Sequence, residues 1–128
     1  MLRNKIVLVG KGGSGKDFMR KKLEGRGFIY AVSYTSRPAR VNEVEGKDYY
    51  FLSKSRFMEH ISEGFFYEYV EFNGWIYGTA NWQMDECDIF IMTPKGISYI
   101  KPEDRKKCFI IYINPDSEIV RSRLEERG

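Results

Sequence analysis

The sequence predicts an α/β fold: a parallel sheet flanked by helices, with a small antiparallel subdomain inserted into it. Three observations carry that expectation. Apolar runs at residues 6–9, 89–92 and 109–113 have the unbroken character of strands buried on both faces, the habit of parallel sheets covered by helices. A glycine-rich segment, Gly10-Lys11-Gly12-Gly13-Ser14-Gly15-Lys16-Asp17, follows the first run and opens a helical pattern. Between the first two runs lies aromatic, turn-rich material of a different character, from Asp48 to Tyr77.

In chain order, Ile6, Val7, Leu8 and Val9 form the first strand, and residues 17–24 form a helix with Phe18, Met19 and Leu23 on one side. Tyr49-Tyr50-Phe51, the aromatic run 65–72 and Trp75-Ile76-Tyr77 read as a small antiparallel sheet, with Asn73-Gly74 suited to a type I′ turn. The interposed segment 54–63 carries Phe57, Met58 and Ile61 at helical spacing. It has Ser53 as N-cap and Gly64 as stop, and is expected to pack on that sheet. A last helix begins near Asn114-Pro115, with proline at its first position, Ile119, Val120 and Leu124 inward and Arg121, Arg123 and Arg127 polar. No repeat or linker interrupts the chain. One domain over 1–128 follows, its core drawn from 1–30 and 86–128 and the inserted subdomain from 31–85.

Composition narrows the function classes. With 42% hydrophobic and 16% aromatic residues, the 128 residues make a globular domain, and the 30% that are charged form no long block. A net charge of +3 is too modest to indicate a nucleic-acid partner, since several basic residues fall within candidate anion sites. Cys87 and Cys108 are far apart and in no C-x-x-C arrangement, so they read as reduced thiols. No signal-peptide or membrane-spanning apolar stretch is present in the sequence; a cytoplasmic location is expected, and no membrane partner.

The glycine-rich segment spells G-x-x-x-x-G-K at a strand-to-helix junction, which points to a nucleoside triphosphate. Gly10, Gly12, Gly13 and Gly15, with Ser14, let the backbone turn its N–H groups inward, and Lys16 adds a point charge where β- and γ-phosphates lie. The helix that follows places its positive dipole end on the anion. Asp17 stands where a serine or threonine hydroxyl ordinarily ligates magnesium, and is the candidate metal ligand.

A second constellation follows. Val32-Ser33-Tyr34-Thr35-Ser36-Arg37-Pro38-Ala39-Arg40 precedes Glu43-Val44-Glu45-Gly46-Lys47-Asp48-Tyr49-Tyr50-Phe51. Two arginines three residues apart, with hydroxyls before and tyrosines after, suit a second phosphate held by forked hydrogen bonds. Here the sequence resembles the guanylate kinase family, whose acceptor region runs V-S-x-T-T-R-x-P-R-x-G-E-x-x-G-x-D-Y-x-F. The likeness extends to Tyr77-Gly78-Thr79 and resumes around 109–128.

The resemblance implies that Glu68 and Ser33 read the guanine edge, with Thr79 beside the base. It implies that Arg37, Arg40, Tyr49 and Tyr77 bind the acceptor phosphate, that Lys16 and the loop bind the donor phosphates, and that Arg127 stabilises the transferring phosphoryl group. It also implies catalytic roles for Lys16, Arg37 and Arg127, with Mg2+ as cofactor and ATP as donor. The chain departs from the family pattern at Asp17, in having no D-x-D aspartates within Ile89-Phe90-Ile91-Met92-Thr93-Pro94-Lys95-Gly96, in a short stretch between Thr79 and Ile89, and in ending at Gly128 where the family continues into its lid.

The expected function is therefore a nucleoside monophosphate kinase that moves the ATP γ-phosphoryl group to GMP or dGMP. Two alternatives stay open: a non-catalytic guanylate kinase-like binding module, and a P-loop kinase for another small phosphorylated acceptor. His60 matches nothing catalytic and is expected at the surface.

Overall fold

A computed structural model describes residues 4–10 and 15–113. Strand β1 (Lys5–Gly10) lies between β6 (Ile89–Ile91) and β7 (Cys108–Ile113) in a three-stranded parallel sheet, order β6-β1-β7. A bridge from Tyr30 to Ile89 extends the sheet beyond β6, and the Ala31 amide donates to the Ile89 carbonyl. Helix α1 (Lys16–Glu24) packs over β1 and β6. It starts at Gly15, whose φ of 99° is left-handed and closed to most side chains. Val7, Val9, Phe90 and Met92 alternate onto the opposite face, where they meet Ala31, Met84, Cys87, Ile97 and Ile100 in one core.

The inserted sheet has the order β3-β2-β5-β4, from β2 (Tyr34–Thr35), β3 (Tyr50–Phe51), β4 (Phe66–Phe72) and β5 (Trp75–Ala80). It is mixed rather than wholly antiparallel, because β2 pairs parallel with β3 and antiparallel with β5. The β4–β5 turn has φ of 53° at Asn73 and 82° at Gly74, the two positive values a type I′ turn requires. Helix α2 (Lys54–Ser62) is capped by Ser53, whose side chain accepts from the Arg56 amide, and the chain leaves it through Gly64 at φ 73°. Its Phe57 is fully buried and stacks on Phe66 with ring centroids 4.4 Å apart.

Three short helices complete the described chain: α3 (Asn81–Glu86), α4 (Pro94–Ser98) and α5 (Pro102–Arg105). The brevity of α3 fits the short stretch noted before Ile89. No helix among the described residues is long and apolar enough to cross a membrane.

Some expectations need correction. Strand β7 is not buried on both faces: Phe109 and Tyr112 are 69% and 67% exposed, because β7 is an edge strand among the described residues. Met58 is exposed rather than packed, since Phe57, His60 and Ile61 are the residues of that stretch turned toward the sheet side of α2. His60 is half-buried: its Nδ1 lies 2.9 Å from the Arg56 carbonyl oxygen, and its ring meets Phe65 edge-on. Cys87 is buried and in no disulfide, whereas Cys108 is only half-buried. The expected final helix from Asn114 lies outside the described residues.

Candidate functional site

Both candidate subsites gather at the carboxyl ends of β1 and β6, where open parallel sheets bind ligands. The Met92 amide donates to the Leu8 carbonyl and so holds these strand ends side by side. At the end of β1, Lys16 Nζ donates to the Gly10 carbonyl at 2.6 Å, which folds the lysine back across the loop it terminates. Burial lowers the Lys16 pKa and Asp17 opposes that shift. Gly12, Gly13 and Ser14 lie outside the described residues, as does Arg127.

Arg37 is placed by a run of hydrogen bonds to β5. Thr35 Oγ1 donates to the Ile76 carbonyl at 3.0 Å and accepts from the Arg37 amide at 3.1 Å, while the Ile76 amide donates to Ser36 Oγ at 2.9 Å. Thr35 and Ser36 thereby lock the backbone before Arg37, which is only 8% exposed. Its guanidinium donates through both Nη atoms to Glu43 at 2.9 Å each, and through Nη1 to the Pro38 carbonyl at 3.1 Å. It also lies 5.2 Å from the Tyr49 ring centroid.

Tyr49 and Tyr77 have centroids 5.9 Å apart, so Arg37, Tyr49 and Tyr77 form one cluster. Burial raises the Tyr49 pKa, as do the neighbouring Tyr77 and Glu43, against the pull of Arg37. Arg40 is exposed, and its backbone amide donates to Glu43 Oε1 at 2.8 Å, so it borders the cluster through Glu43. Glu43 is a residue that sequence reasoning missed as a site group. Its carboxyl is held below the usual range by Arg37, with the Arg40 amide contributing.

Glu68 is 7% exposed, which removes the solvent-facing alternative for a charged residue on an aromatic strand. Its Oε1 accepts from Thr79 Oγ1 at 2.7 Å. Burial raises its pKa and the Thr79 hydroxyl opposes the rise. Helix α4 packs against β4, and a Cβ added at Gly96 would sit 3.1 Å from Glu68 Oε2. Gly96 thus gives the carboxylate its room.

Ser33 is positioned at the backbone level on both sides. Its carbonyl accepts from the Tyr50 amide at 2.9 Å, and the preceding Val32 carbonyl accepts from Gln83 Nε2 at 2.6 Å. Gln83 is fully buried and its Oε1 also accepts from the Ala80 amide, tying α3 to the segment that carries Ser33. A buried glutamine on a short helix gave no sequence signal for this role.

Among the described residues, no group of three or more His, Cys, Asp or Glu is placed to hold a metal ion. Asp17 offers a single carboxylate with a 78% exposed side chain, bonded to Arg20 at 3.2 Å. One carboxylate does not make an all-protein cage, but it fits Mg2+ carried largely by nucleotide phosphates and water.

Comparisons with known proteins agree with this geometry. A family model described as guanylate kinase matches residues 2–128. The chain is 38% identical to the guanylate kinase of Lactococcus lactis, over 96% of the chain and 64% of that protein. It is 32% identical to the guanylate kinase of Sus scrofa, over 96% and 67%. A crystal structure of guanylate kinase from Anaplasma phagocytophilum superposes with a TM-score of 0.69 at 28% identity, covering 96% of this chain and 66% of that one. The chain thus spans a little under two thirds of the length of the Lactococcus lactis relative.

Proposed function

The chain belongs to the guanylate kinase family, and from that premise we propose that it transfers the γ-phosphoryl group of ATP to a purine monophosphate, GMP or dGMP. One observation carries the reading. Tyr77 and Thr79 are two apart on β5, hence on one face and about 7 Å from each other. Thr79 bonds Glu68, and Tyr77 packs beside Tyr49, whose ring lies against the Arg37 guanidinium. On this reading a carboxylate for a base edge and a guanidinium for a phosphate are tied to one face of the same strand, two residues apart.

On this reading Glu68 accepts from the guanine ring N–H and amino groups, and Ser33 donates to its carbonyl oxygen. Arg37, Arg40, Tyr49 and Tyr77 hold the acceptor phosphate. Lys16 and the N–H groups of residues 10–17 hold the donor phosphates at the start of α1. Asp17 is the residue that would hold Mg2+, which when bound neutralises charge on the donor phosphates. The chain's own contribution is in-line positioning and electrostatic stabilisation by Lys16, Arg37 and Arg127, since phosphoryl transfer asks little covalent chemistry of a protein.

The same reading divides the chain into a core of 1–30 and 86–128 and an acceptor-binding insert of 31–85, a division supported by the separate parallel and mixed sheets. Small nucleotides are its partners and the cytoplasm its location.

The test is ADP formation from Mg–ATP against GMP, dGMP, AMP, CMP, UMP and dTMP, with Lys16→Ala as control. The expected result is acceptor-dependent ADP with GMP or dGMP, reduced at least about 100-fold in the control. Absence of turnover together with nucleotide-induced thermal stabilisation would instead make the domain a binding module.

A further inference from the structure

One charged residue, Arg20, lies outside the roles assigned above, a single turn along α1 from Lys16. Arg20 Nη2 donates to Asp17 Oδ1 at 3.2 Å, and Nη1 donates to Glu24 Oε1 at 3.1 Å. Its guanidinium carbon sits 4.4 Å from the centroid of Tyr30, the residue that bridges to Ile89 at the sheet edge. Arg20 is therefore sandwiched between helix and sheet, where an amphipathic helix ordinarily places an apolar side chain. Its side chain is only 16% exposed, and its Nε is buried with no hydrogen-bond partner. Such burial carries a desolvation cost, so packing alone does not account for an arginine here.

The cluster meets a difficulty set by the loop itself. Asp17 puts a negative charge in the first turn of the helix whose N-terminus faces phosphates, where a neutral hydroxyl would add none. We propose that Arg20 is a positioning residue for the donor-phosphate site, holding the Asp17 carboxylate and offsetting its charge so that a Gly-Lys-Asp loop accommodates a triphosphate. Beside the loop the charges of Asp17 and Arg20 offset each other and leave that of Lys16, with Glu24 a turn further from it than Arg20. Glu24 lies about 10 Å further along the helix from Asp17 and anchors the other arm of the guanidinium, which keeps the first arm turned toward the loop. Tyr30 stays neutral, its pKa raised chiefly by burial despite the opposing effect of Arg20. The inference rests on reading residues 10–17 as the donor-phosphate site.

A double-mutant cycle tests it, using ATP binding by calorimetry on the whole chain, with Mg2+ and in EDTA. Arg20→Met is expected to weaken ATP binding about tenfold, the effect of one uncompensated charge beside the phosphates in a largely solvated medium. In the Asp17→Ser background the same change is expected to cost clearly less, because the carboxylate that Arg20 holds is gone and only its own distant charge is lost. Arg20→Lys, which keeps the charge, is expected to retain most of the affinity, and provides the comparison if Arg20→Met does not fold. Equal losses in both backgrounds would show that Arg20 acts through its own charge or packing and not through Asp17, and no loss in either would show no role; both overturn the proposal. Failure of the unmutated chain to bind ATP would instead remove the donor-site reading beneath it.

Discussion

Thr79 Oγ1 donates a 2.7 Å hydrogen bond to Oε1 of Glu68, its register partner across β4 and β5. A carboxylate on a strand is thereby held inside the protein by the hydroxyl directly opposite it. The irregular register between Phe66 and Glu68 is the local departure that accompanies this placement.

Glu68→Gln separates binding from stability. Burial raises the Glu68 pKa above its ordinary 4.5, so the buried ionised form is a cost at neutral pH, relieved as pH falls through the raised value. The glutamine variant keeps the shape without the charge, and its melting temperature at pH 7 is expected to equal or exceed that of the unmutated chain. GMP affinity is expected to fall by about 100-fold, as when a buried polar partner is mismatched. Calorimetric titration beside a thermal melt checks both. A destabilised variant with normal GMP affinity would refute the assignment.

The pH dependence of acceptor binding follows from the same group. Protonated Glu68 cannot accept from two guanine donors, so GMP affinity is expected to weaken as pH falls through the raised Glu68 pKa, above 4.5. In Glu68→Gln the profile is expected to lose that inflection. Titrations between pH 7 and 5 measure it.

Glu43 makes the opposite contribution. Its carboxyl is held below 4.5 by Arg37, so its stabilisation is fully present above that value and is lost as pH falls through the lowered folded value. Glu43→Gln is expected to cost about 1 kcal/mol at pH 7, the value for a hydrogen bond to a charged group reduced for a partly solvated pair. The difference from the unmutated chain is expected to shrink in melts below pH 4.5. A gap unchanged at pH 3 would show that packing, not the ion pair, is lost.

Gly96→Ala tests the room left for Glu68. The added methyl would lie 3.1 Å from Oε2 and 3.4 Å from Thr93 Oγ1, so the carboxylate must shift. GMP affinity is expected to fall by about tenfold, in keeping with the cost of overpacking. ATP affinity, set at the end of β1, is expected to stay the same; equal losses for both nucleotides would place Gly96 in a general structural role.

Phe57→Ala addresses the insert as a folded unit. Removing a fully buried ring stacked on Phe66 is expected to cost about 3–4 kcal/mol. On heating, GMP-dependent stabilisation is expected to disappear before ATP-dependent stabilisation. Loss of both together would show that insert and core unfold as one.

Much of this arrangement was legible in the sequence. The strand before Gly10 and the caps at Ser53 and Gly64 follow from local chemistry, as does the Asn73-Gly74 turn. Strand β2 was not legible, because two residues cannot show a period, and its parallel partner β3 lies fifteen residues away. Helices α4 and α5 are too short for a helical stripe. Within the site, the Arg37, Tyr49 and Tyr77 cluster was anticipated. Glu43 and Gln83 were not, because their roles come from what the fold brings beside them. Arg20 was hidden for another reason: a basic residue midway along a helix reads as solvent-facing until the Tyr30 ring is placed over it.

The outward ring pair of β7 bears on how the protein behaves in the tube. Phe109 and Tyr112 stand on a strand that is at the sheet edge among the described residues, and an exposed strand edge can template pairing with another chain. At high concentration that strand is the place where self-association and turbidity would begin. Replacing Phe109 with lysine introduces the kind of charge that blunts such edges. Phe109 pairs with Ile6 near the amino end of β1, so the change offers a way to improve colloidal behaviour away from the candidate site.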